Sequence, residues 1–137
     1  MPGVAGGVGV DPGGPGLWDP SAEVTVSIRV LEARSNLALA YQRNEAARLV
    51  NAAFGQRERG LADRLLRDAN HELLDALRVL THSRLHPRVR SKIRDAIAAQ
   101  RFARDSESPE TRAFFCVLAA ALTRRASQAL ADDNPIF

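Results

Sequence analysis

Apolar residues recur at the three- and four-residue spacing of α-helices along most of the chain. Two segments with this spacing begin at Asp19-Pro20 and Ser108-Pro109, where a capping side chain precedes a proline at the first helical position. The pattern predicts helices over about residues 20–54, 57–82, 87–104 and 109–131. We therefore expect an all-α protein with a four-helix bundle-like domain over residues 19–137.

Residues 24–30 also fit a different element. This segment alternates apolar and polar residues and is rich in β-branched side chains, which is typical of a half-buried β-strand. The same residues fit helical spacing, and no Gly, Pro or Asn-Gly separates them from the helical pattern that follows. We favour the helix and keep the strand as the alternative.

The first predicted helix carries two apolar stripes when its residues are placed at 100° intervals. One stripe is assigned to the core of the bundle and contains Val24, Ile28, Leu31, Leu39, Ala46, Leu49 and Ala53. The other is predicted to form a seam between subunits and contains Val26, Val30, Ala33, Leu37 and Tyr41. Because a helix with two apolar faces needs two partners, we expect a homo-oligomer; the alternative is that both faces contact helices of the same chain.

The remaining predicted helices differ in how much of their surface is apolar. The second has one broad core face made of Leu61, Ala62, Leu65, Leu66, Ala69, Leu73, Ala76, Leu77 and Leu80. The third has a narrow stripe made of Val89, Ile93, Ala96, Ile97 and Ala103. The fourth is apolar on all sides over residues 113–122, so we expect it to be the most buried helix.

The N-terminal residues predict a different kind of segment. Seven of the nine glycines and four of the seven prolines lie within residues 1–20, so residues 1–18 are interpreted as a flexible or docked tail. The tail lacks the basic and apolar regions of a signal peptide, and no apolar run approaches the roughly 20 residues of a membrane helix. The single cysteine, Cys116, excludes an intrachain disulfide. We expect a cytoplasmic protein with no membrane association.

Positive charge is concentrated in one part of a chain whose net charge is +3. Residues 78–104 contain eight basic residues and one acidic residue, Asp95, so the remainder of the chain is net acidic. This segment predicts binding to an acidic protein surface, to nucleic acid, or to acidic helices of the same bundle. The preference for Arg over Lys is also what codon usage in a GC-rich cellular or viral genome produces. The candidate binding residues are Arg84, Arg88, Arg90, Lys92, Arg94, Arg101 and Arg104.

Few residues have the types and spacing that catalysis or metal binding requires. The three histidines, His71, His82 and His86, do not form a pair with metal-ligand spacing on one helix face. Cys116 lies in the most apolar segment, where a thiol is typically an inert small hydrophobe. No glycine-rich phosphate loop lies between a strand and a helix. We therefore expect no catalytic site, no cofactor and no metal.

Arg64 and His71 lie on the second predicted helix with six residues between them. This spacing resembles the Arg-x(4 to 6)-His motif of HEPN ribonucleases, which are also small helical bundles. The residue after Arg64 is Leu65, where the motif usually has a polar residue; Arg67, which precedes the polar Asp68, is separated from His71 by three residues. The resemblance covers one helix, so the chain is assigned to no family.

These observations lead to three hypotheses of function. The first is a non-enzymatic assembly module that self-associates through its first helix and presents a basic helix to an acidic partner. The second is a nucleic-acid-binding protein that uses the segment from Arg84 to Arg104. The third is a HEPN-like ribonuclease.

Overall fold

A computed structural model of the protein describes residues 20–82 and 86–133, with side chains described for residues 25–82 and 86–132. These residues form α1 (Pro20–Phe54), a 3-10 turn (Gly55–Glu58), α2 (Arg59–His82), α3 (Pro87–Asp105) and α4 (Pro109–Asp133), and they contain no strand. The all-α, bundle-like fold class is confirmed. The helical segments outnumber the four expected, because the connection between α1 and α2 is itself helical.

Residues 24–30 are helical, so the alternative of a β-strand in this segment is wrong. The alternating pattern is also compatible with a helix, because Val30 and Ala33 follow at helical spacing and are buried in the core. The expected tail over residues 1–18 and the candidate binding residue Arg84 lie outside the described residues.

The buried positions of all four helices follow one repeat. Along each helix they are separated alternately by three and four residues, which is the heptad spacing of helices that pack with a left-handed supercoil. These heptad positions are 30, 33, 37, 40, 44 and 47 on α1, 62, 66, 69, 73, 76 and 80 on α2, 89, 93, 96, 100 and 103 on α3, and 112, 116, 119, 123, 126 and 130 on α4. Two further alanines, Ala99 and Ala120, are buried directly beside them.

The predicted subunit seam is largely the core of the bundle. Val30, Ala33 and Leu37 have no exposed surface and pack against the other helices of their own chain, so the prediction that they contact a second subunit is wrong. Val26 is 39% exposed at the start of the described side chains. Tyr41 is half-buried in a cleft between α1 and α4.

The stripe of α1 that was assigned to the core lies outside it at the residues whose side chains are described, which excludes Val24. Ile28, Leu31, Leu39 and Leu49 are all exposed. The buried side of α1 instead carries an alanine at every seventh position, namely Ala33, Ala40 and Ala47. Small side chains at these heptad positions allow neighbouring helices to approach closely.

The core faces predicted for α2 and α3 are confirmed at their heptad positions, and within the described ranges α4 has the most buried residues, although its apolar run is not buried on all sides. Phe114 and Val117 belong to the apolar run of α4 and are 60% and 50% exposed. A helix at the corner of a bundle turns one side toward solvent whatever its composition. The apolar run of α4 therefore supplies both core and surface.

The helices occupy four corners. α1 packs along α2 and α4, and α3 packs along the same two helices, so α1 and α3 are diagonal to each other. The contact between α2 and α3 is the least extensive of the four adjacent pairs. An outward surface on α1 therefore points away from an outward surface on α3.

A chain of polar side chains crosses the core and touches every helix. Gln100 on α3 accepts a hydrogen bond from Asn70 on α2 at 3.0 Å and donates one to Asn44 on α1 at 2.7 Å. Asn44 donates to Thr123 on α4 at 3.0 Å, and Thr123 donates to the carbonyl of Ala119 at 2.7 Å. Because polar groups in a core must find partners, this layer favours one alignment of the four helices.

A buried arginine closes the end of the bundle where α3 connects to α4. Arg112 is 2% exposed and donates hydrogen bonds to Asp63 at 2.5 Å and to the carbonyl of Ala103 at 2.8 Å. Arg59 donates to the carbonyls of Arg104 and Ser106 at 3.1 and 3.0 Å. These bonds attach the start of α2 to the α3–α4 connection.

Candidate interaction surfaces

The outward face of α1 is apolar and carries no charge. Nine residues fall within a sector of about 100° opposite the core, and none of them is charged. Eight are exposed and one, Ala46, is half-buried. α1 also contains six of the eleven large apolar side chains that are exposed among the described residues. The outward face consists of Ile28, Leu31, Ser35, Ala38, Leu39, Gln42, Ala46, Leu49 and Ala53.

The spacing of this face is that of a second helix-packing seam. From Ile28 to Ala53 its residues recur at three- and four-residue intervals, with the adjacent pair Ala38 and Leu39 in the middle, over a length of roughly 38 Å. Two neutral polar residues, Ser35 and Gln42, lie in its middle part. The face has the chemistry of a surface that packs against another uncharged helix.

The structure does not bring all the candidate basic residues to one surface. Phe102 stacks on Phe115 of α4, which fixes the side of α3 that faces α4. At 100° per residue, Arg88 and Lys92 lie toward that side, whereas Arg90, Arg94 and Arg101 lie toward α2. Among these, Arg88, Arg94 and Arg101 are exposed.

The remaining described candidate, Arg104, is half-buried and has a different role from the exposed arginines. Its backbone carbonyl accepts a hydrogen bond from Arg59, and its own Nε is buried without a hydrogen-bond partner. These surroundings place Arg104 in the α2–α3 packing, so it adds less to the accessible basic surface than the sequence predicts.

α2 adds two arginines to the α2-facing side of α3. The hydrogen bond between Asn70 and Gln100 shows that these two residues lie at the same height along α2 and α3. Arg67 lies one turn before Asn70 on α2, and Arg101 directly follows Gln100 on α3. Arg78 lies further along α2 on the same flank. We define the arginine face as Arg67, Arg78, Arg90, Arg94 and Arg101.

The charges of the arginine face are only partly neutralised. Arg78 forms an ion pair with Asp75 at 3.0 Å. Within the described ranges, no carboxylate lies within ion-pair distance of Arg67, Arg94 or Arg101. The alternative that acidic helices of the same bundle neutralise the basic segment therefore does not hold for these positions.

Three phenylalanines form an exposed cluster that the sequence analysis missed. The rings of Phe102 and Phe115 stack with centroids 5.1 Å apart, and Phe114 meets Phe115 edge-on at 5.1 Å. Phe102 and Phe114 are 57% and 60% exposed. The sequence feature that could have predicted this cluster is the run of α4 that is apolar on all sides, because a corner helix with no polar side must expose some of its apolar residues.

A polar cleft separates α1 from α4 beside Tyr41. Its volume is about 400 Å³, and its walls include Glu45, Arg48 and Arg124. Arg48 donates two 2.8 Å hydrogen bonds to Glu45, and this contact lowers the pKa of the Glu45 carboxyl. Because Arg48 and Glu45 neutralise each other, the remaining charge of the cleft walls comes from Arg124 and Arg125.

The residues considered for catalysis and metal binding are dispersed. Arg64 and His71 are both exposed on the outer side of α2. Burial raises the pKa of the Cys116 thiol, against a smaller opposing effect of Arg112. Among the side chains of residues 25–82 and 86–132, no three His, Cys, Asp or Glu groups are placed to hold a metal ion. No helix within residues 20–82 and 86–133 has the length and apolar content needed to cross a membrane.

Two surfaces thus stand out in the described part of the chain, the uncharged outward face of α1 and the arginine face of α2 and α3. They lie on diagonal sides of the bundle, so a partner on one leaves the other accessible. Comparison of the chain with protein families, with curated proteins and with solved structures finds no match.

Proposed function

We propose that this protein is a non-enzymatic helical assembly module that self-associates through the outward face of α1 and presents its arginine face to an acidic partner. The observation that carries the first part is the absence of charge on that outward face. In a chain with 26% charged residues, nine solvent-facing positions would hold about two charges, and these nine hold none. Depletion of charge is the compositional mark of the centre of a protein interface.

A second copy of the chain is the partner that best matches the outward face of α1. An uncharged apolar face is complementary to itself, and a two-fold axis brings the same face of both subunits together. In an antiparallel pairing centred on the face, Ile28 at one end meets Ala53 from the other end, and Ser35 meets Ala46. The first of these contacts places a large side chain against a small one and the second brings two small side chains together, so the two helices can approach closely.

The second part of the proposal is supported by the state of the arginine side chains. Arg67, Arg94 and Arg101 have no carboxylate partner among the described residues. Guanidinium groups keep their charge at every physiological pH and bind carboxylates and phosphates with paired hydrogen bonds. Because α3 is diagonal to α1, self-association through the outward face of α1 leaves Arg94 and Arg101 accessible.

A pair of charge substitutions on the outward face of α1 tests self-association. Changing Leu31 and Leu49 to Glu should give a folded monomer, because both side chains are exposed at 50% and 53%. Molar mass in solution and far-UV circular dichroism measure the two properties. Leu61→Glu, at a leucine of α2 that is 37% exposed, is the control and should leave the molar mass unchanged.

A third variant separates the inner and outer faces of α1. Leu37 has no exposed surface, so Leu37→Glu should unfold the protein instead of dissociating it. The proposal is overturned if the wild-type protein is monomeric at its highest soluble concentration. It is also overturned if the Leu31 and Leu49 double variant keeps the wild-type molar mass.

A further inference from the structure

We infer that the acidic partner of the arginine face is the phosphate backbone of double-stranded nucleic acid, an inference that rests on the second part of the proposed function. The face joins arginines of two helices that are distant in sequence, Arg67 and Arg78 from α2 with Arg90, Arg94 and Arg101 from α3. Neither helix alone carries the whole set.

The spacing of these arginines suits a long, regularly charged partner. Along α3, Arg94 lies about 6 Å from the level of Arg90 and about 10 Å from that of Arg101. Phosphates of one strand follow each other every 3.4 Å or so along the duplex axis, so the face spans several phosphates at once. The helices hold the cations in a fixed array, which reduces the ordering that binding requires.

The side chains between the arginines favour a duplex over a single strand. Single-strand binding uses aromatic side chains on which the bases stack. The aromatic cluster of this protein lies at the α3–α4 contact, on the other side of α3 from the arginine face. The amide of Asn70, which lies between the arginines, is already bonded to Gln100. What the face offers is phosphate contact without base recognition.

The same face lacks the features of a protein-binding surface. Protein interfaces typically have a buried centre of aromatic or aliphatic anchors surrounded by polar residues. On the flank of α2 that carries Arg67 and Arg78, the one exposed large apolar side chain among the described residues is Leu74, which is 41% exposed. The dominant attraction of the arginine face is therefore electrostatic, and a phosphate backbone provides the densest regular array of negative charge.

Binding of random-sequence duplex DNA of about 30 base pairs, followed by fluorescence anisotropy between about 50 and about 200 mM salt, tests the inference. The affinity should fall steeply with salt. Arg67→Gln, Arg94→Gln and Arg101→Gln should each weaken binding and reduce the slope of log affinity against log salt by about one. Arg34→Gln, on the diagonal helix α1, removes the same charge and should leave the slope unchanged.

Two further probes, poly-L-glutamate and single-stranded DNA of the same length, define the results that overturn the inference. Arginine-dependent binding of poly-L-glutamate without binding of the duplex would assign an acidic protein partner and leave the proposed function standing. Tighter binding of the single strand would overturn the choice of a duplex. If Arg34→Gln weakened duplex binding as much as the variants of the arginine face, binding would be a general charge attraction and would not depend on that face. If the protein bound neither duplex DNA, nor single-stranded DNA, nor poly-L-glutamate, both the inference and the second part of the proposed function would be wrong. Self-association is measured separately.

Discussion

Gln100 on α3 donates a 2.7 Å hydrogen bond from Nε2 to Oδ1 of Asn44 on α1, across the diagonal of the bundle. Both side chains are fully buried at heptad positions that would otherwise hold apolar residues. A polar pair in such positions favours the register in which its members meet, because any shift leaves buried amides without partners. Asn44 and Gln100 therefore connect two helices that are distant in sequence.

Breaking this pair should reveal energetic coupling between α1 and α3. Asn44→Ala and Gln100→Ala should each lower the free energy of unfolding by about 2 kcal/mol, because each leaves a buried polar partner unsatisfied. The double variant should lose less than the sum, by about 0.5 kcal/mol or more. Urea unfolding measures the stability of the two single variants and the double variant. As a control, Gln128→Ala, at an exposed amide, should change stability by about 0.5 kcal/mol or less. Strictly additive losses in the double variant would contradict the coupling.

The buried ion pair between Arg112 and Asp63 should be far more sensitive than an exposed one. Asp63→Asn leaves the guanidinium of Arg112 buried without a counter-charge and should cost about 3 kcal/mol. Glu45→Gln removes the equivalent anion from the more exposed Arg48–Glu45 pair and should cost less than about 1 kcal/mol. Equal losses in chemical unfolding would show that burial of Arg112 is not what makes Asp63 important.

Two glycines near the α1–α2 connection should respond to alanine in opposite directions. Gly55 has a φ of +58°, a conformation that costs an L-residue roughly 1–2 kcal/mol, so Gly55→Ala should destabilise the protein by about that amount. Gly60 lies within α2, and Gly60→Ala should stabilise it by about 0.5–1 kcal/mol. Neither added Cβ would meet an atom within 4 Å, so the backbone conformation alone separates the two. A shift of both melting temperatures in the same direction would refute this.

Cys116 should make stability fall at alkaline pH. Burial raises the pKa of its thiol, so the folded state holds the proton more tightly than the unfolded state, where the pKa is about 8.5. The resulting stabilisation is present below about pH 8.5 and is lost as the pH rises through the native pKa. Urea unfolding from neutral to alkaline pH should show a smaller alkaline loss for Cys116→Ala than for the wild type. Parallel curves for the two proteins would argue against this role of the thiol.

The helices and the core of α2 could be predicted from the sequence because their signals are local. Pro87 and Pro109 each occupy the start of a helix, and the regular leucines and alanines of α2 identify its inner face. The Asn44–Gln100 pair could not be predicted in the same way. Each residue on its own is a polar interruption of an apolar stripe, and only the approach of the two helices turns it into a core contact.

The sequence by itself determined that the chain is helical, which residues begin its helices, and that α1 has two apolar faces. Only the tertiary structure decided that the face with Ala33, Ala40 and Ala47 turns inward and that Leu31 and Leu49 turn outward. It also brought Arg67 of α2 beside Arg101 of α3. Helical periodicity depends on neighbours three and four residues apart, whereas these arrangements depend on how closely helices from distant parts of the chain can approach.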